Sequence, residues 1–436
     1  MKLRKRKLFP AIIALILMFS MLTLAACSMT TQNTASAGTA DTVCSATNSS
    51  SSSSFNVTAA SASSAESASD FIADAFSKRD LAGTYDADEA IAITLEGDSA
   101  SASSSAVSVS GSAVTITEAG TYILSGTLEN GYVVVNVSKE DKVQLVLSGA
   151  DINSDTFAAI YVVSADKVFI TLADGTENSL SNGGSYVNID DNNVDAVIFS
   201  KDDLTLNGSG TLTVTSPAGH GITSKDDLVI TGGTYVITAA KHGIEANDSL
   251  AVSDGSFTVR AGKDGVHVEN DDDDTLGNIY IGNGVFSITC GDDGVHANTL
   301  IVIDGGAFDI TAAEGIEATY ITINDGDIKI TASDDGINAA RKSAAYTPTV
   351  EINGGSVTIS MGTGDTDGVD SNGNIVMNGG TVNITGNSSF DYDGSAQYNG
   401  GTIVVNGQQL SYIPNQMMGG GMGGMQGGMG GRGGRR

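Results

Sequence analysis

Between residues 220 and 394 a glycine recurs with a polar residue just before it and, in most cases, another two places after it. The marker glycines are Gly221, Gly243, Gly265, Gly294, Gly315, Gly336, Gly368 and Gly394. Before them stand His220, His242, Asp264, Asp293, Glu314, Asp335, Asp367 and Asp393; two places after stand Thr223, Glu245, His267, His296, Glu317, Asn338, Asp370 and Ala396. The two columns flank an apolar position that reads as inward, so both project outward from one edge. If successive units stack at a strand spacing of about 4.8 Å, facing carboxylates repel by roughly 3.5 kcal/mol at an effective dielectric near 20. Such a row requires something positive within it. Calcium fits by its oxygen donors, flexible geometry and high coordination number. The expected ligands are Asp264, Asp271, Asp292, Asp293, Glu314, Glu317, Asp334, Asp335, Asp365, Asp367 and Asp370, with Asp271 and the rest of "DDDD" (271–274) folding over the Asp264 and Asp293 units. The competing explanation is that Asp and Asn favour tight turns; it accounts for Asp202-Asp203 and Asp226-Asp227 in two "SKDDL" turns. Imidazole prefers softer metals, so His267 and His296 are assigned to hydrogen bonds with neighbouring units or a sugar. Tyr280 and Tyr320, outward by strand parity, are the candidate stacking residues for a saccharide.

The elements that must position these side chains follow from the spacing. Gly221, Gly243 and Gly265 lie 22 residues apart, and Gly294, Gly315 and Gly336 lie 21 apart. Longer intervals carry visible insertions, "ENDDDDTLG", "RKSAAYTPT" and "TGDTD". Each unit holds a short apolar run such as "LVI", a turn pair such as Gly305-Gly306, and a second run such as "AFDITAA". Tyr235, Phe257, Phe286, Phe308 and Ile328 share one column, Ile237, Val259, Ile288, Ile310, Ile330, Ile359 and Ile384 another, and Ala239, Ala261, Cys290, Ala312 and Ala332 a third. Matched residues at a period of two imply strands that stack unit on unit. Three short strands in about 22 residues without a helix describe an all-β fold, a right-handed parallel β-helix, placed at 105–413. A leucine-rich repeat would need a leucine frame and a helix or Asn position in each unit, and neither is present.

Composition bounds the partners. Asp+Glu number 51 against Lys+Arg 21, and Lys2, Arg4, Lys5, Arg6, Lys7, Arg432, Arg435 and Arg436 lie at the chain ends, so the body is more acidic than the net charge of −30. Nucleic acid is excluded as a partner on charge. "MKLRKRK" followed by an apolar stretch and Leu24-Ala25-Ala26-Cys27 reads as a lipoprotein signal ending in a lipobox, with Cys27 lipidated and the body outside the cytoplasmic membrane. Residues 28–69 read as a Ser/Ala-rich tether, 70–104 as a cap with a helix over "DFIADAFSKRDL", and 414–436 as a Met/Gly-rich tail. No disulfide framework is expected, and the chain is expected to be a monomer.

"FSKRDLAGTYD", "DKVQLVLSGADI", "ADKVFITLADGTENSLS", "FSKDDLTLNGSGTLTV", "HGITSKDDLVITGGTYVITA" and the "DDGI/V" turns, across about 76–407, resemble the clostridial carbohydrate-binding domain-containing proteins. The resemblance implies a secreted or lipid-anchored β-helix, pectate-lyase-like in shape, associated with calcium and with cellulose and acidic sugars. His220 and His242 replace acids on early units, so metal binding is carried only from Asp264 onward. Three functions then compete. A binding module would hold a polyuronate or cellulose; a calcium-dependent lyase would need a base, for which Arg260, Lys241 and Lys263 are the candidates; a structural spacer would bind no saccharide.

Overall fold

The computed structural model describes residues 68–363 and 366–416. The signal with Cys27, the tether, most of the tail and Asp365 lie outside the described residues.

One unit shows how sequence becomes fold. Strands Asp293–Ala297, Leu300–Ile303 and Ala307–Ala312 follow one another through tight turns. Each pairs in parallel with its counterpart in the next unit, Asp293 opposite Glu314, Leu300 opposite Tyr320 and Ala307 opposite Asp327. Repetition of this step builds three ladders, the parallel β-helix expected. The ladder carrying the marker glycines is a 13-stranded sheet, here the marker face; the other two join into a 25-stranded sheet. Ala307–Ala312 alternates exposed and buried, a one-sided strand, whereas Leu300–Ile303 is buried throughout and so is covered from outside.

The inward columns pack as read. Tyr235, Phe257, Phe286 and Phe308 form a stack with ring centroids 5.2, 4.6 and 4.6 Å apart and planes within 12°. The isoleucine column from Ile237 to Ile384 is at most 2% exposed. The marker glycines are required by crowding and not by a left-handed backbone: a Cβ on Gly294 would meet Ile310 Cγ2 at 2.4 Å and the Gly315 carbonyl oxygen at 2.5 Å.

The structure departs from expectation in three places. The solenoid begins at Ile91–Gly97, which pairs in parallel with Gly120–Leu128, so the expected cap contains its first strand. The final marker is Ser389 and not Gly394, because Phe390 fills the inward position opposite Val369 and Asp391 lies opposite Asp370. A polar hydroxymethyl in place of glycine hid that step. The expected helix over 70–81 is two helices, Ala68–Ala73 and Lys78–Ala82, split where the Ser77 side chain caps the second and exchanges hydrogen bonds with Asp80. No helix among the described residues is long and apolar enough to cross a membrane.

These helices belong to a strap along the outside of the covered face. Asp80, 1% exposed, takes an ion pair from Lys167 at 3.0 Å and a hydrogen bond from the Thr205 hydroxyl at 2.6 Å. Phe71 and Ile72 pack against Leu300, Val302, Tyr320, Ala345 and Tyr346.

Candidate cation edge on the marker face

Chemical character changes along the outside of the marker face. Its early strands carry Tyr161 and Phe199, in edge contact at 6.0 Å under the loop 183–195. The next units carry a file of imidazoles: His220, His242, His267 and His296 stack with centroids 5.0, 4.1 and 4.9 Å apart. Beyond them the column Glu245, His267, His296, Glu317, Asn338, Asp370, Asp391 becomes acidic, each residue in register with the next.

In the histidine stretch the acids find imidazole partners within the protein. Asp264 Oδ2 lies 3.1 Å from His242 Nδ1 and 2.6 Å from His267 Nδ1, and Asp264 Oδ1 accepts the Asp293 amide at 3.0 Å. Burial opposes charge on Asp264, but these bonds outweigh it and hold the carboxyl well below the usual range. His296 Nδ1 sits 2.7 Å from Asp293 Oδ2 and 2.9 Å from Glu317 Oε2. Burial would lower His296, yet the two carboxylates push it up to about 10, an imidazolium at neutral pH. His242, Asp264 and His267 offer ligand atoms within 4.8 Å of one another, but the stacked rings lie within 20° of parallel and their nitrogen lone pairs lie in those planes. One ion does not meet both rings in plane.

The later units are different. Burial first, then Asp264 and Glu317, push Asp293 up to about 6 despite His296. Burial, then Glu317, Asp293 and Asp335, push Glu314 up to about 8 against the Asn338 amide. Burial, with Asp335, Asp367 and Asp391 around it, pushes Asp370 up to about 7. Asn338 Oδ1 and Asp391 Oδ1, on the units either side of Asp370, are buried oxygens without a hydrogen-bond partner, and Thr366 Oγ1 is another. Unpartnered buried oxygens around a crowded carboxylate are the donor set of a hard cation. Asn338, Asp370 and Asp391, with Asp335 and Asp367 alongside, are therefore residues that could hold a hard cation such as calcium. Asp293, Glu314 and Glu317 form a second oxygen cluster within 4.8 Å.

Several expected site residues lie elsewhere. Asp292 and Asp334 are exposed in the turns, and only the second acid of each pair joins the column. Asp271 is exposed, and its insertion does not fold over Asp264 and Asp293: Asn270 bonds Asp248, and the Asp274 carbonyl accepts from Thr299 and Ser343. Tyr320 is 5% exposed with its hydroxyl on Glu351, and Tyr280 lies under Phe76 with its hydroxyl on Asp304. Strand parity placed both tyrosines outward correctly, but the strap covers that face, so neither ring offers itself to a sugar. His267 and His296 spend their Nδ1 atoms on acids, and His267 Nε2 lies 3.1 Å from Glu269. Lys241 is tied to Asp195, while Arg260 and Lys263 are exposed. Sequence reasoning missed Lys342, whose amine reaches Glu317 Oε2 at 2.9 Å from inside an insertion, and Asp391, displaced by the wrong final marker. Asp203, Asp226 and Asp227, read as turn acids, also converge, and burial and the other two acids push Asp203 up to about 7.

Residues 110–368 and 313–412 match a family described as carbohydrate-binding domain-containing protein. A carbohydrate-binding domain-containing protein of Acetivibrio thermocellus is 43% identical over 128 residues, 29% of this chain and 45% of the relative, so the match spans less than half of that protein. A solved structure described as a polysaccharide lyase-like protein from C. thermocellum, gadolinium derivative, aligns with TM-score 0.50 at 36% identity, covering 51% of this chain and 91% of that one.

Proposed function

Because this chain belongs to the carbohydrate-binding domain-containing protein family, we propose that it is a non-catalytic surface module that grips acidic, pectin-type polysaccharide through calcium on its marker face. The observation that carries the reading is the set of buried, unpartnered oxygens of Asn338 and Asp391 flanking Asp370. When bound there, calcium supplies charge that both relieves the carboxylates and receives a uronate. The chain's own part is to hold oxygens at one strand spacing along a row, a repeat suited to a linear polymer. That the related solved protein was obtained as a gadolinium derivative supports a hard-cation reading, since gadolinium shares calcium's preference for oxygen. The lipobox at Cys27 supports a lipid-anchored location; incorporation of labelled fatty acid that is lost in Cys27→Ala tests it.

The test is co-sedimentation of the full chain with calcium-gelled polygalacturonate while absorbance of unsaturated products is followed. Depletion of protein without new absorbance is the expected result, and Asp370→Asn with Asp391→Asn should abolish it. Retention on cellulose alone would overturn the pectin reading. The likeness to a protein described as polysaccharide lyase-like favours a second reading, a calcium-dependent lyase, for which rising absorbance is the signature. Lys263, exposed beside Asp264, and Arg260 are then the first bases to replace, ahead of Lys241, which Asp195 already holds.

A further inference from the structure

At the early end of the marker face, where aromatic residues give way to histidines, lies a cleft of about 340 Å³. Asn192, Asn193 and Asp195 from the loop 183–195 form one wall; Phe199, Lys201, His220, Lys225 and Glu245, from successive units, form the rest. The loop is fixed by its own contacts: Tyr161 donates to Asp190 at 2.7 Å, Asn192 to the Tyr161 hydroxyl at 2.8 Å, and the Tyr186 and Ser216 hydroxyls lie 2.8 Å apart. The cleft is therefore preformed.

Its charges differ from those of the acidic edge. Lys225 pairs with Glu245 at 2.8 Å and Lys241 with Asp195, but Lys201 lines the cleft and forms no ion pair among the described residues. His220 is 7% exposed and sits between two acids of the cleft, its Nδ1 2.9 Å from Glu245 Oε2 and its Nε2 3.4 Å from Asp195 Oδ2. A preformed polar cleft whose Lys201, with Asp190 as its nearby acid, makes no ion pair of its own offers an ammonium to an anionic ligand.

We infer that this cleft is a calcium-independent subsite for a single hexuronate unit, with Lys201 receiving the carboxylate, Asn193, Asp195 and Glu245 bonding hydroxyls, and His220 holding the two acids in place. The ligand class rests on the polyuronate reading; the site does not share the residues that would hold calcium. It gives the protein a grip on one sugar unit at one end of the edge that grips many.

Digalacturonate titrated into the full chain by calorimetry, in excess chelator, tests this directly. Saturable binding is expected, weakened at least tenfold in Lys201→Gln and in His220→Phe, with unsaturated melting curves used to confirm that each variant folds. Lys201→Gln, altering a surface-accessible amine, should leave calcium-dependent retention on polygalacturonate gel in place. Digalacturonate binding that needs calcium, or that survives Lys201→Gln unchanged, overturns the subsite. Gel retention without any digalacturonate binding also overturns it and leaves the calcium edge standing; digalacturonate binding without gel retention overturns the edge and upholds the cleft. Equal binding of cellobiose would show that the ammonium reads no carboxylate and would overturn the uronate assignment.

Discussion

Asp370 lies where the protein's own charges are most in conflict, and its amide should relieve that conflict. Asp370→Asn is expected to raise the melting temperature measured in chelator and to remove the further rise that calcium gives the parent chain; a lower melting temperature in chelator would mean that the carboxylate is already compensated. The acids also set a pH dependence. Asp293, Asp370 and Glu314, pushed up to about 6, 7 and 8, hold protons in the folded chain that the unfolded chain has already released. Their contribution is full below the ordinary carboxylate range and is lost as pH rises through these values. The chelated melting temperature should therefore fall between about pH 5 and pH 8, and calcium should flatten the slope; a flat chelated profile would show that these acids stay ionised. At this scale the sequence was readable where one residue type recurs once per unit, as with Asp264, Asp293 and Glu314. It was not readable where the partner comes from a stretch outside the repeat: Lys342 sits in an insertion, and nothing in "RKSAAYTPT" tells which unit its amine will reach.

The strands were legible because each apolar position has the same neighbours above and below, so a column repeats its residue. Gly294→Ala should cost about 1–3 kcal/mol or more by overpacking, because the Cβ has Ile310 on one side and a backbone carbonyl on the other; chemical denaturation measures it, and a neutral result would show that the two units can separate without loss. The strap was legible only in part. Its apolar side chains were visible, but the break at Ser77 is a capping effect three residues long, and the face it covers lies distant in sequence. Asp80→Ala leaves Lys167 without its carboxylate and the Thr205 hydroxyl without its acceptor, a loss of roughly 3–5 kcal/mol for a buried pair. It should free the strap before the solenoid melts, read as proteolysis within 68–84 and, since the chain has no tryptophan, as a change in tyrosine fluorescence when Tyr280 and Tyr320 are uncovered. Parity arguments placed those tyrosines on the right side of the strand and failed to show what lies over them.

At the level of the whole molecule, the last strand of the ladder that includes Ala307–Ala312, Thr402–Val405, is closed by antiparallel pairing with Gln408–Leu410, and the first solenoid strand pairs with Ala100–Ala102. Ending the chain at Gly407 removes Gln408–Leu410 and exposes strand Thr402–Val405 as a free edge, and light scattering should then report self-association; a monodisperse product would show that the preceding turn is guard enough.

The glycine that each unit needs for close approach also makes the unit a copyable module. Unequal crossing-over within the gene, out of step by one unit, would insert a whole strand triplet with its marker, its isoleucine and its outward acid already in register. The number of carboxylates in the row would change in whole steps while the core kept its shape, so such a lineage would inherit grip length as a count.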